Sequence, residues 1–399
     1  MKKIIYISTA FPKENEGATI YTDLAEKLVS SGHQVTVVAT EEKGKGAKTE
    51  MVNEYGCRVL RVVCGRHYNV GVLEKGITYL RLEYQLKKAI KHYLGKEKFD
   101  LILFAAPPVT LTSVVAFLKH KFNAKAFLMM KDIFPQNAVD LKIMKKNGLI
   151  YHYFRNKEKR MYKVADCIGC MSEMNIQYIT KHNPYVKEKC IYFPNTKKIS
   201  WQLEEVDKNK IRKIYGLPAE AVVFIFGGNM GIPQGMEFLC KGIKRLSYEK
   251  NVFFVLVGRG TEKKVIRDCL GEQKNVLILE DLKREQYEGL VRACDVGIVS
   301  LNHNFTIPNY PSRILSYMEY SLPVLAATDT NTDFKKLIME DARCGVWCES
   351  DNVDDFIASV RKLMVSPEKR EKMGGNGRKY MEDNFDVKKS VELIENVMN

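Results

Sequence analysis

Three glycine-containing loops follow predicted strands, and their residue types and spacing suit ligand binding. They cover residues 11–17, 227–231 and 258–260. Glycine lets backbone N–H groups approach a ligand closely, and the N-terminus of a following helix favours phosphate. Any one of these loops is equally explained by turn geometry. Because they recur after strands in two successive units, we expect Gly17, Gly228, Gly258 and Gly260 to contact a phosphate-bearing ligand.

Asp132 is the candidate catalytic residue, because it follows the predicted strand 126–130. Ligands of parallel sheets bind beyond the carboxyl ends of the strands. A carboxylate at that position can orient a substrate hydroxyl or accept its proton. The alternative is a loop carboxylate that caps a turn. The neighbouring Lys131 and Pro135 favour the functional interpretation, with Lys131 facing the substrate that bears the hydroxyl.

Cys167 and Cys170 form a Cys-x-x-Cys pair, which in some proteins is a redox or zinc motif. They lie in the apolar segment 165–171, which predicts a buried strand, and no second Cys or His pair follows at zinc spacing. The chain also lacks an Asp-x-Asp sequence. We therefore expect neither a metal nor another cofactor.

Short apolar runs alternate with amphipathic segments throughout the first half of the chain. The predicted strands are 4–8, 35–39, 58–63, 101–104 and 126–130, and the predicted helices are 20–31, 77–94 and 109–121. Strands that alternate with helices in this way predict a doubly wound parallel sheet.

The same rhythm begins again after a polar stretch, 197–210, which reads as a linker. Predicted strands are 222–226, 252–257, 276–279, 296–300 and 324–327, with helices at 235–250, 261–270, 284–293, 310–320 and 353–365. We therefore predict an α/β protein with domains 1–200 and 201–385 and a C-terminal helix in 386–399. The two domains should face a central cleft at the carboxyl ends of their strands.

Positive charge is concentrated in the first half. The net charge is +15, and residues 1–200 carry 34 Lys and Arg against 18 Asp and Glu. Nucleic acid and the anionic cytoplasmic membrane leaflet both fit, and a well-solvated surface is the alternative. Nucleic acid is disfavoured because the basic residues lack interleaved aromatic side chains. We expect Lys87, Lys88 and Lys91, on the predicted helix 77–94, to face the membrane.

The N-terminal apolar run stops at Ser8, which is too short for a signal peptide, and no apolar run approaches the ~20 residues that span a bilayer. We therefore expect a cytoplasmic protein, peripheral to the inner face of the cell membrane.

Several motifs together resemble glycosyltransferase family 4, from residue 1 to about 385. In the first half these are Pro12, Gly17, Leu24-Ala25-x-x-Leu28, Gly32-His33-x-Val35-x-Val37. In the second half they are Gly228-Asn229-Met230-Gly231-x-x-Gln234-Gly235-x-Glu237, Gly258-x-Gly260, Pro311-Ser312-Arg313, Tyr317-Met318 and Pro323-Val324. The segment 131–136 is similar to a subgroup of bacterial O-antigen and capsule enzymes, typified by an N-acetyl-fucosamine transferase.

The resemblance implies a GT-B fold of two Rossmann-like domains, with the acceptor on the first and the nucleotide sugar on the second. It implies retaining transfer, from a UDP-sugar by subgroup similarity, to a lipid-linked saccharide in bacterial surface polysaccharide synthesis. Components of a polysaccharide assembly machinery are then further expected partners, and no metal is expected.

The family usually holds the donor diphosphate with an Arg and a Lys, whose positions here are Asn229 and Gln234. The resemblance therefore implies that the positive charge comes from Arg313, with Ser312 donating a hydrogen bond. A guanidinium grips a diphosphate in a forked, charge-assisted manner. The alternative is a surface cation on a helix.

The family also has two glutamates eight residues apart, at positions that are Pro308 and Ser316 here. Glu319 lies one helical turn after Ser316 and is the candidate substitute for ribose contact, with a solvated helix carboxylate as the alternative. Two other functions stay open: a UDP-sugar 2-epimerase on the same fold, and a non-catalytic nucleotide-sugar-binding partner.

Overall fold

The computed structural model describes residues 1–44, 46–65, 72–202 and 206–398, with the backbone alone for 72–80. The chain divides into two compact units. The first unit contains Met1–Lys198 together with Val387–Asn399, and the second contains Ile199–Asp386. Part of the predicted linker, 203–205, lies outside the described residues.

The first unit is built on an eight-stranded sheet in the order β3-β4-β2-β1-β5-β6-β7-β8. The strands are β1 Lys3–Ser8, β2 Gln34–Glu42, β3 Glu50–Glu54, β4 Cys57–Cys64, β5 Leu101–Ala106, β6 Lys125–Met130, β7 Cys167–Cys170 and β8 Cys190–Tyr192. All pairs are parallel except β3 with β4. The central strands are buried along their length, because helices cover both faces of such a sheet.

Six helices of the first unit precede the second unit in the chain. They are α1 Ile20–Ser30, α2 Val72–Tyr93, α3 Thr112–Phe122, α4 Gln136–Asp140, α5 Leu149–Val164 and α6 Glu173–His182. The predicted helix 20–31 begins at the expected residue because Thr19 caps it, accepting a hydrogen bond from the backbone N–H of Tyr21. Helix α2 begins earlier than its predicted start at residue 77.

The second unit is built on an all-parallel six-stranded sheet in the order β11-β10-β9-β12-β13-β14. The strands are β9 Val222–Gly227, β10 Val252–Val257, β11 Val276–Leu279, β12 Val296–Ser300, β13 Val324–Thr328 and β14 Gly345–Glu349. The helices are α7 Lys208–Tyr215, α8 Met236–Arg245, α9 Lys263–Leu270, α10 Arg284–Ala293, α11 Arg313–Glu319, α12 Phe334–Lys336, α13 Val353–Met364 and α14 Pro367–Asn384. The prediction of two doubly wound parallel sheets is confirmed.

The last helix, α15 Val387–Met398, packs on the first unit. Its buried Val387, Val391 and Ile394 join the core cluster of α1 and β1. The His33 Nε2 atom lies 2.9 Å from Glu395 Oε1, which also ties the helix to the start of β2. The chain thus crosses to the second unit and returns.

The sequence patterns missed the short edge strands β3, β8 and β14 and the helices α4, α5, α6, α7, α12 and α14. The edge strands are short and only partly buried, so they lack a sustained apolar run. Helix α7 begins inside the predicted linker. None of the helices in the described ranges is both long enough and apolar enough to span a membrane.

Candidate functional site

Two glycine loops of the second unit form one hydrogen-bonded ledge at the carboxyl ends of β9 and β10. The N–H of Gly228 donates to the carbonyl of Val257 at 2.9 Å, and the N–H of Met230 donates to that of Arg259 at 2.8 Å. A Cβ atom on Gly258, whose φ is 144°, would collide with the Gly228 carbonyl, and one on Gly260 would collide with that of Met230. Loop-to-loop packing therefore requires both glycines, whether or not they also contact a ligand.

Gly228 differs from these two because its side-chain position is open. Its φ of 113° favours glycine, and an added Cβ would lie 3.9 Å from Arg313 Nη2. Gly228 itself is exposed. The guanidinium of Arg313 thus lies at the end of the ledge. The fold brings Gly228 and Arg313 together from widely separated parts of the chain.

Arg313, at the start of α11, carries an unpaired charge. Its guanidinium carbon lies 4.2 Å from the ring centroid of Phe226. Its Nη1 atom is buried and has no hydrogen-bond partner, and in the described ranges no carboxylate forms an ion pair with it. Desolvation lowers the pKa of Arg313. Buried charges are normally paired, so this geometry indicates a binding position for an anionic ligand.

Two buried tyrosines, Tyr287 and Tyr317, pack against Gly227, which precedes the ledge. The N–H of Gly227 donates to the Tyr317 hydroxyl at 3.2 Å. A Cβ on Gly227 would collide with the Tyr287 ring. Burial raises the pKa of both phenols, so both hydroxyls stay neutral donors. Tyr317 and Gly227 both belong to segments that the sequence motifs include, but those motifs do not show that the two residues are in contact.

The remaining predicted polar contacts of this site are neutral side chains. Asn229 Nδ2 lies 3.4 Å from Gln234 Oε1, which also accepts a hydrogen bond from the N–H of Gly231 at 3.2 Å. Ser312 is exposed and Ser316 is half-buried, one turn along α11. These residues leave Arg313 as the cation of the group.

The structure does not bring Glu319 to this group. Its side chain is buried, and its Oε1 atom accepts a hydrogen bond from the N–H of Ser200 at 3.0 Å. Its carbonyl accepts one from Arg378 Nη1 at 2.7 Å. The carboxylate therefore secures the chain near Ser200, and ribose contact by Glu319 has no support in this arrangement.

Gly17 belongs to the first unit and is not part of the Arg313 group. Its φ is 105°, and its carbonyl lies 2.7 Å from the hydroxyl of Tyr55. A turn held in this way explains the glycine without a ligand.

Asp132 lies beyond the carboxyl end of β6, as predicted. Its Oδ1 accepts the N–H of Ile133 at 2.7 Å, and its Oδ2 accepts a hydrogen bond from Asn137 Nδ2. Desolvation raises the pKa of Asp132 to about 6, although both hydrogen bonds act in the opposite direction. A carboxyl with a pKa near neutrality suits general-base chemistry.

Lys131 is half-buried, and its side chain makes its contacts within the first unit. Its Nζ donates to Asn195 Oδ1 at 2.8 Å and lies 5.4 Å from the Phe193 ring centroid. Desolvation lowers the pKa of Lys131 to about 7. Burial has thus moved the pKa values of the adjacent Lys131 and Asp132 side chains toward each other.

Helix α2 presents part of its predicted basic face. Lys88 and Lys91 are exposed and Lys87 is half-buried, while Leu82, Leu86 and Ile90 are buried. Tyr84, on the same helix, is exposed. It lies two residues from Leu82 and Leu86, on the opposite face of a 3.6-residue helix.

In the described part of the chain, no three His, Cys, Asp or Glu side chains gather as a metal site would require. Cys167 and Cys170 are buried in β7. Burial raises the pKa of Cys167 to about 12, which fits a structural thiol.

Two families match separate parts of the chain. "Glycosyltransferase Family 4" matches residues 17–196, and "Glycosyl transferases group 1" matches residues 207–380. The first match falls in the first unit, and the second falls in the second unit.

Two curated relatives are similar over about half of the chain or more. The probable glycosyltransferase WbjE of Pseudomonas aeruginosa is 22% identical over 254 residues, 60% of this chain and 60% of that protein. The putative colanic acid biosynthesis glycosyl transferase WcaI of Escherichia coli K12 is 22% identical over 204 residues, 50% of this chain and 49% of its own length. The match thus spans half to three fifths of each relative.

Solved structures resemble the whole chain. Sucrose-phosphate synthase from Thermosynechococcus elongatus has a TM-score of 0.77 at 16% identity, covering 100% of this chain and 98% of that one. WaaG, a lipopolysaccharide-biosynthesis glycosyltransferase, has 0.68 at 15% identity, covering 99% of each. Anabaena Alr3699/HepE, solved with UDP and glucose, has 0.69 at 16% identity, covering 100% and 99%. At these identities the likeness shows the fold.

Proposed function

We propose that the chain is a glycosyltransferase, as its two family matches and its GT-B fold support, and that its second unit binds a UDP-sugar through Arg313. The observation that carries the proposal is the unpaired guanidinium beside Gly228, with a buried Nη1 that lacks an acceptor. A diphosphate supplies the missing acceptors and charge. UDP is the nucleotide proposed because Alr3699/HepE was solved both with UDP and glucose and with UDP-glucose.

The chemistry assigned to this position is stabilisation of the leaving nucleotide. As the bond between the sugar and the diphosphate breaks, negative charge grows on the diphosphate. A preorganised cation at Arg313 stabilises that charge more than it stabilises the ground state. The forked guanidinium adds geometric selection for two phosphate oxygens.

We assign the acceptor to the first unit, at Asp132. An acceptor hydroxyl attacks the anomeric carbon on the same face from which the nucleotide diphosphate leaves. Its proton passes to the Asp132 carboxylate, and the diphosphate departs with the electron pair of the broken bond. The proposed reaction retains the anomeric configuration, as the resemblance to family 4 implies. A lipid-linked saccharide in surface polysaccharide synthesis is the proposed acceptor, since WcaI and WaaG are named for colanic acid and lipopolysaccharide biosynthesis.

Titration calorimetry with UDP tests the donor half of the proposal. Arg313→Ala should weaken UDP binding by ten-fold or more. Arg313→Lys should recover only part of the affinity, because an ammonium keeps the charge but loses the fork. Arg292→Ala, on α10 of the same unit, is the matched control. Wild-type UDP affinity in Arg313→Ala would show that other groups hold the diphosphate.

UDP release distinguishes the proposed reaction from the two alternatives. Transfer requires that release rise sharply when an acceptor is added, and that UDP and the glycosylated acceptor form in equal amounts. A 2-epimerase would act on the UDP-sugar without any acceptor. A non-catalytic binding partner would bind the donor, without turnover, across a broad acceptor panel.

A further inference from the structure

The first unit carries a cluster of exposed apolar side chains between α4 and the first turn of α5. Leu149 is 90% exposed, and Ile143 and Ile150 are each 64% exposed. Aliphatic residues are rarely so exposed several at a time, and such patches mark interaction sites. We call the following set the docking patch: Ile143, Leu149 and Ile150, with the exposed lysines Lys142, Lys145 and Lys146.

The backbone of the docking patch is hydrogen-bonded, so its side chains point outward from an ordered segment. The N–H groups of Ile143 and Met144 both donate to the carbonyl of Ala138 at 2.9 Å. The N–H of Gly148 donates to the carbonyl of Lys145 at 3.2 Å, and α5 begins one residue later. The exposure of these apolar side chains is therefore a feature of the folded backbone.

The charge of the docking patch is all of one sign. No Asp or Glu occurs from residue 141 to 157. Lys142, Lys145 and Lys146 form no ion pair with any described residue. Lys157, farther along α5, is by contrast paired with Glu83 at 2.6 Å. Three unpaired lysines complement the negative charge of an anionic surface, and the three aliphatic side chains beside them complement an apolar layer beneath that charge.

We propose that the docking patch binds an anionic lipid surface, with Leu149 and Ile150 entering the interfacial layer and the lysines meeting the headgroup phosphates. The inference rests on the proposed function, because a lipid-linked acceptor is presented at such a surface. A second copy of the chain fits less well. A two-fold interface would place the same lysines against one another, and like charges in contact oppose association.

The docking patch is tied to the proposed acceptor residue. Phe134, two residues after Asp132, stacks edge-to-face on Phe154 of α5 with ring centroids 5.0 Å apart. Ala138, whose carbonyl anchors the patch, belongs to α4, which follows the Asp132 loop. Docking of the patch therefore sets the distance between the Asp132 loop and the lipid headgroups.

Vesicle co-sedimentation with the full chain tests the proposal. We expect binding to phosphatidylcholine vesicles containing phosphatidylglycerol and little binding to pure phosphatidylcholine. Salt should remove most of the charge contribution and leave a residual, apolar contribution. Leu149→Ser with Ile150→Ser should lower the partition coefficient about ten-fold and abolish the salt-resistant part.

Two charge-reversed variants separate this surface from α2. Lys142→Glu, Lys145→Glu and Lys146→Glu together should lower the partition coefficient by ten-fold or more at low salt. Lys87→Glu, Lys88→Glu and Lys91→Glu together should lower only the salt-sensitive part. The matched apolar control is Tyr248→Ser with Val365→Ser, two exposed positions of the second unit, which should bind vesicles as wild type does.

UDP affinity and transfer to a short soluble acceptor, measured without vesicles, keep the two proposals apart. If a docking-patch variant loses vesicle binding but keeps wild-type UDP affinity and wild-type transfer, the docking patch is supported. If the wild-type protein does not bind UDP, the proposed function is contradicted. Wild-type partitioning of the Leu149→Ser, Ile150→Ser variant would overturn the inference. So would a wild-type dimer that this variant disrupts, or capture of acidic peptides in place of vesicles.

Discussion

At the scale of single residues, burial sets the chemistry of Asp132 more than hydrogen bonding does. Two hydrogen bonds to its carboxylate lower the pKa, yet desolvation wins and raises it to about 6. The folded state therefore binds a proton more tightly than the unfolded chain does. Between about pH 4 and pH 6, the contribution of Asp132 to the free energy of unfolding falls as pH rises.

Asp132→Asn tests this balance together with the proposed catalytic role. UDP affinity should stay near that of wild type, and turnover should fall by ~10²–10⁴-fold, because a base acts after donor binding. The acidic limb near pH 6 should disappear from the kcat/KM profile of the residual activity. The variant should also be more stable than wild type at pH 7, since the charge that burial disfavours is gone.

Asp140→Asn is the control for that variant, because Asp140 is a buried carboxylate at the end of α4 whose charge helps to raise the pKa of Asp132. It should keep the acidic limb, moved to lower pH, and most of the turnover. Full turnover in Asp132→Asn, with an unchanged pH profile, would assign Asp132 a structural role.

At the scale of elements, the ledge of the second unit depends on a close approach of two loop backbones. Gly258→Ala forces a side chain against the Gly228 carbonyl at a φ of 144°. Strain of this kind costs about 1–3 kcal/mol, and the loops must also separate. Denaturant unfolding should show this loss, and UDP binding should weaken with it.

Gly375→Ala is the matched control, since Gly375 lies in α14 and an added Cβ there meets nothing within 4 Å. That change should raise stability by about 0.5–1 kcal/mol through helix propensity. Equal stability of Gly258→Ala and wild type would contradict the loop-packing account of this glycine.

At the scale of the whole molecule, α15 makes the first unit depend on the last residues of the chain. Val391→Ala should destabilise that unit, because Val391 is 3% exposed within the cluster of Leu24, Leu28 and Val35. Losing two buried methyl groups costs on the order of 1–3 kcal/mol. Hydrogen exchange followed by mass spectrometry should show faster exchange in α1 and β2, with little change in β9 or β12.

Val360→Ala in α13 is the corresponding change in the second unit, whose core contains Val360. It should speed exchange in β13 and β14 and leave α1 unchanged. If Val391→Ala instead accelerated exchange mainly in the second unit, the assignment of α15 to the first unit would be wrong.

The sequence by itself determined the alternation of strands and helices, because that information is local. Apolar runs such as 252–257 and helical spacing such as 353–365 predict an element whatever its partners are. The position of Asp132 after a strand, and of the glycine loops after β9 and β10, followed from the same patterns. The motif Pro311-Ser312-Arg313 also indicated Arg313 as a candidate ligand of the diphosphate.

Only the tertiary structure decided which way the side chains face and what they meet. Lys131 turns inward to Asn195 and Leu149 turns outward to water, although their local patterns suggested neither. The Glu319 carboxylate accepts a hydrogen bond from the N–H of Ser200, and α15 packs against α1, which is distant from it in sequence. These outcomes depend on contacts between residues far apart in sequence, whose burial and desolvation energies no local pattern contains.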